Sequence, residues 1–376
     1  MRSLAFCLAL LLIVSGCDDP SSAGLEFVND DGARPTVTVQ EASAGVEEPE
    51  VRDETGGDSR VLAGTVADPV TGSVSTTGYL DFSEPSAPPS AFRNGPVTEV
   101  TLRLVRDYVY GDTVTVGTLV LNDMDHEWTS LSVPADSELV AGIEAASVQF
   151  TPSDSVVLVA LPAEWVAAND LQLRSAGSDT LFHGFQLTAI GTNAVVGFRT
   201  TSVTLDVVSG GEQLEFPVNR RLTTARRLSP TTPPAERLTV QDTAGPGVVL
   251  HFDLSDDTLA TAVINRAEIR VIVDTLALRS NTPPNFVRPE VPRLELHAAT
   301  TAGGSIVLGT ANVDNGVAAF SGSLVRAALQ GLAEGVGVVD HFRVVVAADV
   351  SSVGAVVLNA PGTGQGPTAE ITASKI

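Results

Sequence analysis

From Arg60 onward the chain is written in short aliphatic or alternating runs, each closed by Gly, Pro, Asp or Asn. The clearest are residues 97–105, 113–121, 155–161, 203–208, 267–273, 293–297, 305–309 and 342–347. An alternating run suits a strand, because successive side chains point to opposite faces of a sheet. Many such runs in succession predict a β-sandwich or jelly roll. Sustained helical periodicity is absent; residues 324–334 form the best short helix. The chain is 43% hydrophobic but only 5% aromatic, so the core must be built from aliphatic side chains. Val and Thr, abundant here, favour strands because their branched Cβ fits a pleated surface.

The runs also repeat. Val97-Thr98-Glu99-Val100-Thr101-Leu102-Arg103-Leu104-Val105 aligns without a gap on Ile264-Asn265-Arg266-Ala267-Glu268-Ile269-Arg270-Val271-Ile272. Gly78-Tyr79-Leu80-Asp81-Phe82-Ser83 precedes the first and Val249-Leu250-His251-Phe252-Asp253-Leu254-Ser255 the second. Later, Phe182-His183-Gly184-Phe185 parallels Asp340-His341-Phe342, and Ala194-Val195-Val196 parallels Ala355-Val356-Val357. The expectation is an all-β chain with two tandem antiparallel β-sandwich or jelly-roll domains, over 60–209 and 210–376.

The N-terminus predicts export. Arg2 supplies a positive start, residues 4–14 are almost wholly apolar, and the run ends at Val14-Ser15-Gly16-Cys17. The apolar stretch suits a signal peptide and is too short for a permanent span. An aliphatic residue, two small residues and a cysteine match the bacterial lipobox. Residues 1–16 are therefore read as a lipoprotein signal peptide and Cys17 as the acylated first residue of the mature chain. The other cysteine is Cys7, so the body holds no disulfide, zinc-thiolate site or cysteine nucleophile. Residues 17–59, with Asp30-Asp31 and Glu47-Glu48-Pro49-Glu50, read as an acidic flexible tether. Asp18-Asp19 is similar both to an inner-membrane retention signal and to a surface-export signal. The acidic composition favours the outer membrane or cell surface.

The net charge is −23, and the sole lysine is Lys375. A chain this acidic repels nucleic acid, which is set aside as a partner. Arg266-Ala267-Glu268-Ile269-Arg270-Val271 and Gly366-Pro367-Thr368-Ala369-Glu370-Ile371-Thr372 carry a resemblance to the DNRLRE-type, carbohydrate-binding-module-like jelly rolls, and to a lipoprotein family of Bacteroidota and relatives. The resemblance covers roughly Arg60 to the end. It implies a non-catalytic exported β-sandwich and carries over no set of binding residues.

Motifs for catalysis are missing: there is no G-x-S-x-G, Walker A, H-E-x-x-H or C-x-x-C. Gly362-x-Gly364-x-Gly366 precedes no helix and reads as a turn. His126, His183, His251, His297 and His341 are scattered, and His183 and His341 take related places in the two copies. Asp123, Asp125 and Glu127, in Asn122-Asp123-Met124-Asp125-His126-Glu127, form the densest oxygen-ligand cluster, with Ca²⁺ as the candidate ion. Asp253, Asp256 and Asp257 form a weaker one. Glu99, Glu127 and Glu164 are the carboxylates a glycosidase reading would need to pair. Tyr108 and Tyr110 lie two apart, so they share a strand face, and Trp128 follows the acidic loop. Together they predict a platform on which a sugar ring could stack.

The function expected is a non-catalytic envelope lipoprotein, a surface binding or structural module with glycan as the favoured ligand class. An envelope polysaccharide hydrolase, or an accessory of envelope assembly or secretion that contacts other envelope proteins, is the alternative.

Overall fold

The computed structural model describes residues 35–47, 53–54, 59–128, 133–134, 139–174, 182–229, 236–242, 247–255, 257–335, 338–347 and 352–375. The export signal and Cys17 lie outside them. Strands hold 59% of the described residues and helices 14%, so the protein is all-β, built of antiparallel sheets packed as sandwiches.

The first described strands are β1 (Thr36–Glu41), β2 (Ser43–Glu47) and the two-residue β3 (Asp53–Glu54). The first half opens with β4 (Arg60–Asp68), β5 (Gly72–Phe82), helix α1 (Ser90–Asn94), β6 (Val97–Asp112) and β7 (Gly117–Met124). It continues through β8 (Val133–Pro134), β9 (Ala141–Phe150), β10 (Val156–Ala160) and helix α2 (Ala163–Arg174). It closes with β11 (Phe185–Ile190), β12 (Ala194–Arg199), β13 (Thr204–Ser209) and the long β14 (Glu212–Ser229).

The second half opens with β15 (Arg237–Gln241), β16 (Gly247–His251), α3 (Asp257–Ala260), β17 (Ala262–Ile272) and α4 (Thr275–Ser280). Next come β18 (Phe286–Val287), β19 (Arg293–Thr300), β20 (Ser305–Asn312), β21 (Val317–Ser321) and α5 (Ser323–Glu334). The predicted helix at 324–334 is α5. The half ends with β22 (Val339–Val346), β23 (Ala355–Asn359) and β24 (Thr368–Lys375).

The pairing scheme of the first half recurs in the second. β6 lies between β13 and β10, as β17 lies between β24 and β21. The register repeats as well: Leu102 faces Leu205 and Val159, and Ile269 faces Ala369 and Phe320. On the opposite side the order β5-β11-β7-β9 matches β16-β22-β19-β20. Phe185 sits opposite Leu80, and Phe342 opposite Leu250. Each of these phenylalanines meets a second ring edge-on, Phe82 at 6.3 Å and Phe252 at 5.7 Å. Each half has its own aliphatic core. Leu102, Leu104, Leu205, Leu119 and Leu187 lie in the first, and Ile269, Val271, Ile371, Leu294 and Val344 in the second.

Two departures from the sequence reading concern chain ends of the repeats. β14 pairs with β13 and then with β5, so the first half's sheet runs on to Ser229, beyond residue 209. The segment read as tether also holds structure: β1 pairs with β24 and β2 with β16. Its sequence, Thr-Val-Thr-Val-Gln-Glu, does alternate, but the acidic residues around it mask that pattern.

Candidate functional site

β6 is sixteen residues long, whereas β17 has eleven. The aligned repeat ends at Val105; beyond it β6 continues onto β12 and, at its tip, pairs with β18 of the second half. Tyr108 and Tyr110 sit on this extension. They do share a face, as the spacing requires, but that face is covered. Tyr108 is 8% and Tyr110 1% exposed, in a cluster with Leu62, Val66, Val195, Ala225, Phe286 and Val353. Val109, between them, points into the first core. Trp128 is 6% exposed and lies in a different cluster, with Tyr79, Met124 and Leu222. Its Nε1 donates to the His183 carbonyl at 2.7 Å. The three aromatics therefore do not form a sugar-stacking platform; each is used for packing.

What the extension builds instead is a polar junction between the halves. The Asp68 side chain is fully buried, and the Arg288 side chain is 10% exposed. Arg288 donates to Asp68 through Nε at 2.5 Å and Nη2 at 3.0 Å. Tyr110 donates its hydroxyl to Asp68 at 2.8 Å and also contacts the Thr71 hydroxyl at 2.7 Å. The Val70 and Thr71 backbone N–H groups donate to the other Asp68 oxygen. Arg288 reaches the carbonyls of Leu278 and Asn281 with its remaining donors, and its guanidinium lies 5.2 Å from the Phe286 ring. Burial pushes the Asp68 carboxyl up, but Arg288, the Val70 N–H and Tyr110 together outweigh it and hold the carboxyl below its ordinary value. Tyr110 is pushed well above the usual phenol value by burial and by Asp68. Burial likewise raises Tyr108, to about 12. Its hydroxyl accepts from the Val353 N–H at 3.2 Å across the same junction. A carboxylate already saturated with five donors is a structural group, poorly placed to take a proton from a substrate.

The acidic loop is not gathered around one point. Asp123 accepts from Trp165 Nε1 at 2.9 Å and is pushed up by burial against that bond. Asp125 lies over Gly142 of β9. Glu127 accepts from Arg220 at 3.0 Å. Among the described residues, no group of three or more His, Cys, Asp or Glu side chains is placed to hold a metal ion. Asp256 falls outside those residues. Glu99 is on β6, and Glu164 opens α2. His251 and His341 face each other across β16 and β22, 5.4 Å between ring centres.

A pocket of about 270 Å³ opens beside the start of α5, lined by Asn265, Arg266, Ser321, Ser323 and Arg326. Gly322 caps this helix without a side-chain hydrogen bond. The pocket presents hydroxyl, amide and guanidinium groups, a donor-rich lining. Arg266 also reaches Glu268 at 3.4 Å. Sequence reading missed this pocket, because it joins residues more than fifty positions apart.

No family model matches the chain, and no curated protein does. Among solved structures, the Macrobrachium rosenbergii nodavirus structure aligns over 90% of this chain and 89% of that chain, at 10% identity. The TM-score of 0.13 is too low to carry an argument.

Proposed function

We propose that this chain is an exported lipoprotein, acylated at Cys17, with a non-catalytic binding or structural role in the cell envelope. Val14-Ser15-Gly16-Cys17, placed at the end of an apolar run, is the observation that carries this reading. The mature chain is held in the membrane through its N-terminal lipid, at the outer membrane or cell surface. Its body is two repeats of one β-sandwich, fastened through Asp68, Arg288, Tyr108 and Tyr110.

Envelope glycan is the ligand class. Support now comes from the pocket by α5 rather than from aromatic stacking: Asn265, Ser321, Ser323 and Arg326 offer donors suited to sugar hydroxyls and carboxylates. A glycan array probed with wild type and with Arg326→Ala tests this. Retention of an oligosaccharide by wild type, weakened in the variant, is expected. Equal signals, or none for wild type, would remove glycan as the ligand.

A further inference from the structure

We infer that the second half carries a strand-accepting groove whose ligand is an extended peptide, the chain's own segment 36–47. In the first half, β14 follows β13 through Gly210 and Gly211, covers β13 with residues 212–217, then crosses to cover β5. The second half has the same two strands to cover, β24 and β16. There the place is taken by β1 on β24 and β2 on β16, from the other end of the chain.

The registers coincide. Leu205 faces Phe216 as the equivalent Ala369 faces Gln40. Leu80 faces Arg221 as the equivalent Leu250 faces Ala44. From Phe216 to Arg221 is one residue further than from Gln40 to Ala44, and β14 has a bulge between Val218 and Arg220. Once that bulge is allowed for, segment 36–47 lies where β14 lies.

The contacts explain which peptide fits. At the crossover Ala42 is 2% exposed, joins the second core, and donates its N–H to the Pro367 carbonyl at 2.9 Å. Val37 and Val39 point outward at 60% and 62% exposure. Glu41 accepts from the Gly362 N–H at 2.7 Å, which gives the glycine-rich turn 362–366 a role in holding the segment. Recognition is thus mostly main-chain ladder, with one small side chain required at position 42, as in strand addition to a sheet edge. The inference stands apart from acylation at Cys17; under that reading, the second half is the half tied nearest to the lipid.

Engineered disulfides test it, in a chain with Cys7 and Cys17 replaced by serine. Two pairs face each other in register, Val39→Cys with Glu370→Cys and Gly45→Cys with Val249→Cys. Facing residues of antiparallel strands lie within disulfide reach. Mild oxidation should close both pairs within one chain, giving a faster-migrating monomer on a non-reducing gel. Disulfide-linked dimers would mean that a second copy supplies the strand, and would overturn the inference. Open thiols that react freely with a maleimide in the folded protein would overturn it too. As a second readout, Ala42→Asp should lower Tm by roughly 5 °C or more by burying a charge, while Val39→Asp should not. Equal Tm values for the two variants would contradict a seated segment.

Discussion

Replacing Arg288 by Met tests whether the Asp68 junction fastens the two halves. Met keeps the length of the side chain but removes the donors that Asp68, Leu278 and Asn281 now use. The Asp68 side chain has no exposure, so its charge would be left in the interior with only Tyr110 and two backbone N–H groups. Breaking one side of a buried pair costs about 3–5 kcal/mol. For a cooperative unit of this size that corresponds to a Tm lower by roughly 6–20 °C. The pH dependence fixes the cause. In the native protein the Asp68 pKa lies below its unfolded value, so its stabilisation is present above that value and fades as pH falls through the folded pKa. Without Arg288 the folded pKa rises, because burial is then opposed only by the Val70 N–H and Tyr110. The loss this causes at neutral pH is relieved on acidification as the carboxyl takes up a proton. The gap in Tm between wild type and Arg288→Met should therefore be widest near pH 7.5 and narrow toward pH 5, by circular-dichroism melts. Asp68→Asn combined with Arg288→Met, which removes the stranded charge, should recover part of the loss. A single variant that melts within about 1 °C of wild type at pH 7.5 would refute the reasoning.

The repeat makes paired predictions. Phe185→Ala and Phe342→Ala remove equivalent fully buried rings and should each cost about 3–5 kcal/mol in chemical denaturation; a large loss in one and none in the other would deny the equivalence. Gly184 has φ of +85°, and a Cβ there would run into the Leu80 carbonyl, so Gly184→Ala should cost about 2–4 kcal/mol by the same measurement. Trp128→Ala should lower stability by about 3–5 kcal/mol and leave glycan-array signals unchanged, since the ring is interior; a selective loss of binding with unchanged Tm would reverse that assignment.

The strand content was legible because alternation survives wherever one sheet face meets a core. Residues 97–105 and 264–272 show it: Leu102 and Ile269 were matched by sequence and hold the same register place. Alternation stops being informative where both faces are covered. β6 buries Val109 on one side and Tyr108 and Tyr110 on the other, so nothing local tells an interior tyrosine from a displayed one. The Asp68–Arg288 pair spans 220 positions, and no spacing rule reaches that far. The sequence reading divides the halves between residues 209 and 210, whereas in the fold Gly210-Gly211 is a hairpin turn into β14. Segment 36–47 was hidden too. Its valines face outward, and what seats it is one alanine and a main-chain ladder, neither of which stands out in composition.

Metabolic labelling of cells with a tagged fatty acid, comparing wild type with Cys17→Ala, tests the proposed anchoring most directly. Label on the wild-type protein in the membrane fraction, with none on an unprocessed Cys17→Ala chain, is the expected result. An unlabelled wild-type protein retaining Met1 would contradict acylation and export alike.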